Sequence, residues 1–70
     1  MGDGLGVMVN GKEHPYTPGT TLELLLTSLL NGPATVVAEV NGEIVPREAF
    51  GKTFLNAGDR VEIVHFVGGG

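Results

Sequence analysis

Apolar and polar residues alternate with period two at the start of the chain. Leu5, Val7 and Val9 fall on one face and Met8 on the other, which predicts a half-buried strand. Asn10-Gly11 follows, the dipeptide suited to a type I′ hairpin turn, whose two central residues need positive φ. The return strand, Lys12 to Tyr16, contains Pro15, which cannot donate to a ladder and so belongs at a sheet edge. After Pro18-Gly19 the period changes. Leu22, Leu25, Leu26 and Leu29 stand at i, i+3, i+4 and i+7, one stripe of a helix of about three turns. Thr20 and Glu23 have capping-box spacing and predict its start, while Asn31-Gly32 and Pro33 predict its stop. Alternation returns from Thr35 to Val40, with Val36, Ala38 and Val40 opposed to Val37 and Glu39. Asn41-Gly42 predicts a second hairpin turn into Glu43-Ile44-Val45, which Pro46 ends. Arg47 to Leu55 reads as irregular with room for one short helical turn, and Asn56 to Asp59 as a loop. A last strand runs from Arg60 to Phe66, with Val61 and Ile63 opposed to Glu62, Val64 and Phe66.

Two strands, a helix, two strands and a late extra strand make an α+β fold, a mixed sheet of four to five strands with one main helix packed on one face. The economical arrangement is a β-grasp roll, with the first and last strands parallel and adjacent at the centre and Pro15 on an edge. If the helix covers Val7, Val9, Val36, Ala38, Val61 and Ile63, then Met8, Val37, Val64 and Phe66 face away, with Val67 next to Phe66. An exposed apolar group of this kind marks a protein contact. Single surface hydrophobes are the duller reading.

Composition narrows the function. Seventy residues allow one domain, 1–70, and leave little material for an enclosed active site. Without cysteine there are no disulfides, thiolate metal sites or thiol nucleophile. Four basic against eight acidic residues give a net charge of −4, the wrong sign for a nucleic-acid binder and the right one for a partner with a basic face. Apolar runs are too short to span a membrane, and the start has no basic n-region or apolar signal core. The expectation is a cytoplasmic protein, monomeric when alone, with residues 1–4 disordered or an expression remnant.

Most candidate chemistry fails on context. Gly51-Lys52-Thr53 resembles the end of a P-loop, but Pro46 stands where the first glycine is needed and no long helix can follow. His14 and His65 lie on separate strands without metal-ligand spacing. The acids are spread along the chain, and a working carboxylate pair needs a cleft to raise one pKa. What remains is the tail, Gly68-Gly69-Gly70, directly after the last strand. Such glycines are often simply disordered. Lacking Cβ atoms, they also form a thread slim enough for a narrow tunnel in a partner enzyme, delivering the Gly70 α-carboxylate.

From about Val7 to Gly70 the chain resembles the ThiS family, the sulfur carriers of thiamine (thiazole) biosynthesis. The resemblance is carried by Val9-Asn10-Gly11-Lys12-Glu13, by Gly19-Thr20-Thr21-Leu22, and most specifically by Val40-Asn41-Gly42-Glu43-Ile44-Val45-Pro46-Arg47. Gly58-Asp59-Arg60-Val61-Glu62-Ile63-Val64 and the ending Val67-Gly68-Gly69-Gly70 complete it. A Gly-rich N-terminal extension and the extra apolar Phe66 are the departures. The resemblance implies a ubiquitin-like β-grasp fold and a carrier that is not itself an enzyme and binds no cofactor. It implies that a ThiF-type adenylyltransferase activates Gly70 with ATP. Sulfur from a persulfide, supplied by a cysteine desulfurase or rhodanese-like protein, then makes a thiocarboxylate for a ThiG-type thiazole synthase. The small subunit of molybdopterin synthase, and a ubiquitin-like modifier or binding module, are the alternatives.

Overall fold

The computed structural model describes residues 6–30 and 35–65. Strand β1 (Gly6–Val9) turns at Asn10-Gly11 into β2 (Lys12–Pro15). Helix α1 (Leu22–Leu30) follows, then β3 (Val36–Val40), the Asn41-Gly42 turn, and β4 (Glu43–Val45). A 3-10 helix (Arg47–Lys52) precedes β5 (Arg60–His65). The sheet order is β2-β1-β5-β3-β4, with β1 and β5 parallel and the other pairs antiparallel. The mixed sheet, the central first-and-last pair and the edge position of Pro15 all match the expectation. So do the two hairpin turns, with φ of 50° and 85° at Asn10-Gly11 and 53° and 87° at Asn41-Gly42.

One face of the sheet carries the core. Val7, Val9, Ala38 and Val61 are buried from the strands, and Leu22, Leu25 and Leu26 from the helix. Val36, Leu29 and Ile63 pack around them. Leu55 is also fully buried, although the sequence reading placed it in an irregular stretch. It has no periodic neighbours to reveal it. It is held by tertiary pairing: its N–H donates to the Thr20 carbonyl at 2.9 Å, and its own carbonyl accepts from the Tyr16 hydroxyl at 2.9 Å.

The helix start needs a correction. The cap is Thr21, whose Oγ1 accepts the Leu24 N–H at 3.2 Å, and not Thr20. Thr20 Oγ1 instead donates to the Thr17 carbonyl at 2.7 Å. The cause is again pairing with the segment before β5. Thr21 forms an isolated antiparallel bridge opposite Phe54, and the Leu22 N–H donates to Thr53 O at 2.8 Å. Extended backbone at Thr21 delays the first helical turn by one residue. Glu23 is then too early in the helix to reach back, and its carboxylate lies against Gly51, where an added Cβ would come within 2.7 Å of Oε1. The expected stop at Asn31-Gly32-Pro33 lies outside the described residues, as do residues 1–4 and the tail. Replacing Thr21 with alanine is expected to cost about 1 kcal/mol in a denaturant titration. Thr20→Ala, which leaves the cap in place, is expected to cost less than half as much.

Candidate functional site

The sheet face away from α1 is the first candidate surface. Register determines who shares it, because directly opposed residues point the same way. Val37 lies opposite Val64, Glu39 opposite both Glu62 and Ile44, and Met8 opposite both Arg60 and Glu13. Met8 and Val37 are half-buried and Val64 is 56% exposed, so all three fall on the outward face as predicted. Phe66 and Val67 lie outside the described residues. Ile44 is a member of this face that the sequence reading left unassigned, and at 67% it is the more exposed. The signal was available: the second hairpin register puts Ile44 opposite Glu39, and Glu39 had already been assigned outward.

The surface has an order along β5. Its far end carries Met8 and Arg60, its middle Glu62, Glu39 and Ile44, and its last rung the apolar pair Val64 and Val37. That apolar rung adjoins the end of β5, from which the sequence continues toward the glycines. Two carboxylates directly opposed across strands are mutually destabilising by a few tenths of a kcal/mol or more. Glu39 and Glu62 sit in this relation, so a cation brought up by a partner would relieve it. Arg60 is the one cation among the described strand residues of this face.

The strand leading to the tail is held at its start. The Asn41 N–H donates to Arg60 O at 2.7 Å, and its Oδ1 accepts the Arg60 N–H at 3.0 Å. Asn41 Nδ2 donates to Asp59 Oδ1 at 3.0 Å, while Asp59 Oδ2 accepts the Asn56 N–H at 2.7 Å. These bonds make the Asn56–Asp59 loop a fixed entrance to β5.

Elsewhere the surface offers little chemistry. Gly51-Lys52-Thr53 closes the 3-10 helix, and Thr53 Oγ1 donates back to Ala49 O at 2.8 Å, so no phosphate-binding turn forms there. His14 projects from edge strand β2 and is half-buried. Among the described residues no three His, Cys, Asp or Glu side chains come together as a metal site would need. No helix among them is long and apolar enough to cross a membrane. Gly68, Gly69 and Gly70 lie outside the described residues.

The fold is thus a small β-grasp domain whose face away from the helix carries the exposed apolar residues Ile44 and Val64. The ThiS family model matches residues 7–70, and the chain belongs to that family. It is 38% identical over 65 residues to the sulfur carrier protein ThiS of Bacillus subtilis, covering 91% of this chain and 98% of that protein. It is also 42% identical over 64 residues to a thiazole synthase of Magnetococcus marinus. There it spans 20% of the relative's length, as it does in a thiazole synthase of Paramagnetospirillum magneticum. The crystal structure of the thiamine biosynthesis protein ThiS from Geobacter metallireducens superposes with a TM-score of 0.72 at 39% identity, covering 93% of this chain and 99% of that one.

Proposed function

We propose that the Gly70 carboxylate is the reacting group and that the folded domain serves to dock it. A carboxylate is a poor electrophile with a poor leaving group. A ThiF-type adenylyltransferase would join a carboxylate oxygen to the α-phosphorus of ATP, releasing pyrophosphate. A persulfide anion, carried by a cysteine desulfurase or rhodanese-like protein, attacks the acyl carbon and AMP departs. A second thiol then cleaves the sulfur–sulfur bond, leaving a thiocarboxylate on Gly70 and a disulfide on the donor. A ThiG-type thiazole synthase accepts the sulfur. Tethering the sulfur to a protein replaces diffusion of free sulfide with positioned delivery. On this reading the chain is a cytoplasmic co-substrate, binds no cofactor of its own and leaves catalysis to its partners.

The observation that carries the proposal is the family match, which runs through Gly70 and so includes the glycine tail. The likeness to two thiazole synthases, each matched over a fifth of its length, supports the thiazole synthase as sulfur acceptor. Intact mass provides the test. Incubated with the adenylating enzyme, ATP and a persulfide donor, the chain is expected to gain the difference between one sulfur and one oxygen. An unchanged mass overturns the proposal, and ladders of chain attached to other proteins would mark a modifier instead.

The outward face, with Met8, Val37, Ile44 and Val64, is the proposed docking surface for the adenylating partner, and Phe66 and Val67 continue it in sequence toward Gly68 and Gly69. Val64→Asp puts a charge on the apolar rung nearest the tail. It is expected to raise the half-saturating carrier concentration for loading about tenfold, the effect of losing a well-packed interface contact. The unfolding midpoint should stay put, because Val64 is 56% exposed. A variant that loads normally removes this face from the docking surface.

A further inference from the structure

The parallel ladder between β1 and β5 outlasts the backbone of β1. Met8 N–H donates to Asp59 O and Asn10 N–H to Val61 O, each at 2.9 Å. In a parallel ladder a residue that donates to one neighbour accepts, through its carbonyl, from the residue two further along. Asn10 should therefore accept from the Ile63 N–H. Its φ of 50° turns the backbone into the hairpin instead and takes that carbonyl out of the ladder. The side chain stands in for it. Asn10 Oδ1 accepts the Ile63 N–H at 2.7 Å, and Asn10 Nδ2 donates to Ile63 O at 3.2 Å. One carboxamide satisfies both backbone groups of Ile63, which a continued β1 would bond through two successive peptide units.

This bond lies where the strand leaves its two-sided support. Beyond Ile63, β5 is paired with β3 through Val64 and His65, and β1 has already ended. Among the described residues Asn10 is thus the last hold on the β1 side before the sequence continues toward the glycines. We infer that the Asn10 carboxamide is a positioning residue: it extends the β1–β5 ladder by one rung and sets the direction in which the C-terminal segment leaves the fold. The inference rests on the reading of Gly70 as the reacting group. Asn10 itself touches no substrate and acts through Ile63.

Two variants separate this role from turn formation. Asn10→Gly keeps the freedom to adopt positive φ and removes the carboxamide. Asn10→Asp keeps an acceptor for the Ile63 N–H but has no donor for Ile63 O. Amide hydrogen exchange is read at Ile63 and at Leu26 in the helix core, and pyrophosphate release is followed against carrier concentration with the adenylating enzyme, ATP and a persulfide donor. In Asn10→Gly, exchange at Ile63 is expected to rise about tenfold, as for a local opening that has lost two hydrogen bonds, with Leu26 unchanged. The half-saturating carrier concentration should rise about fivefold or more with little change in turnover, as for impaired docking. Asn10→Asp should fall between Asn10→Gly and the unsubstituted chain. Equal acceleration at Ile63 and Leu26, or local acceleration with unchanged saturation, overturns the inference. The unsubstituted chain is run alongside: if it is not adenylated, the reading of Gly70 fails and the positioning role with it, whereas the exchange data still report whether Asn10 holds Ile63.

Discussion

Deleting Gly70 is expected to abolish sulfur loading completely and to leave the unfolding midpoint where it was. The expectation combines two separate arguments. The proposed chemistry needs a terminal carboxylate at the depth to which the partner's active site would admit the tail, and shortening the thread by one residue would withdraw it by about 3.3–3.6 Å. Productive attack requires the reacting atoms at about 3–3.5 Å from one another, so a displacement of that size removes the encounter. Stability should not respond, because the described core residues and those packed on them extend no further than Ile63 in sequence. The measurement is paired: intact mass after incubation with enzyme, ATP and persulfide donor, and a urea titration of the same sample. Full loading of the shortened chain would mean that another group takes the sulfur. Loss of loading with loss of folding would mean that the tail belongs to the core.

The second large effect is expected in the core. Leu22 is fully buried, and its backbone N–H is tied to Thr53 O at 2.8 Å, so it joins the helix to the segment before β5. Leu22→Ala is expected to destabilise the domain by about 2–5 kcal/mol, the range for a leucine truncated where its surroundings cannot collapse. That is comparable with the whole stability that a single core supplies in a domain this small, rarely more than about 3–5 kcal/mol. The variant should therefore be largely unfolded at modest urea concentrations and should show a steep loss of amide protection. Leu24→Ala is the control. Leu24 is 58% exposed on the same helix, and its replacement should move the midpoint only slightly. Equal losses at the two sites would mean that the helix presents a different stripe to the sheet.

Legibility in the sequence followed the range of the interactions. Strand faces and hairpin turns could be read from neighbouring residues, because period-two alternation and the Asn-Gly pairs are local signals. These local signals alone place Met8, Val37 and Val64 outward. The helix stripe was equally legible. Its cap was not, since Thr20 and Thr21 are both acceptable cap residues and only the bridge to Phe54 decides between them. Leu55 was missed for the same reason: its burial depends on bonds to Thr20 and Tyr16, distant in sequence. Ile44 could have been placed by carrying the hairpin register one step further. The chemistry of the tail came from resemblance, because three glycines alone carry no reactive signature.

The position of β5 has a consequence for synthesis. This strand, the last of the described residues to be made, stands between β1 and β3 and, among the described residues, is the one link between the two hairpins within the sheet. A nascent chain that stops before Arg60 holds two separate hairpins and a helix with no continuous surface to cover, and isolated hairpins are marginal in water. Closure of the sheet must therefore wait until β5 has cleared the ribosome.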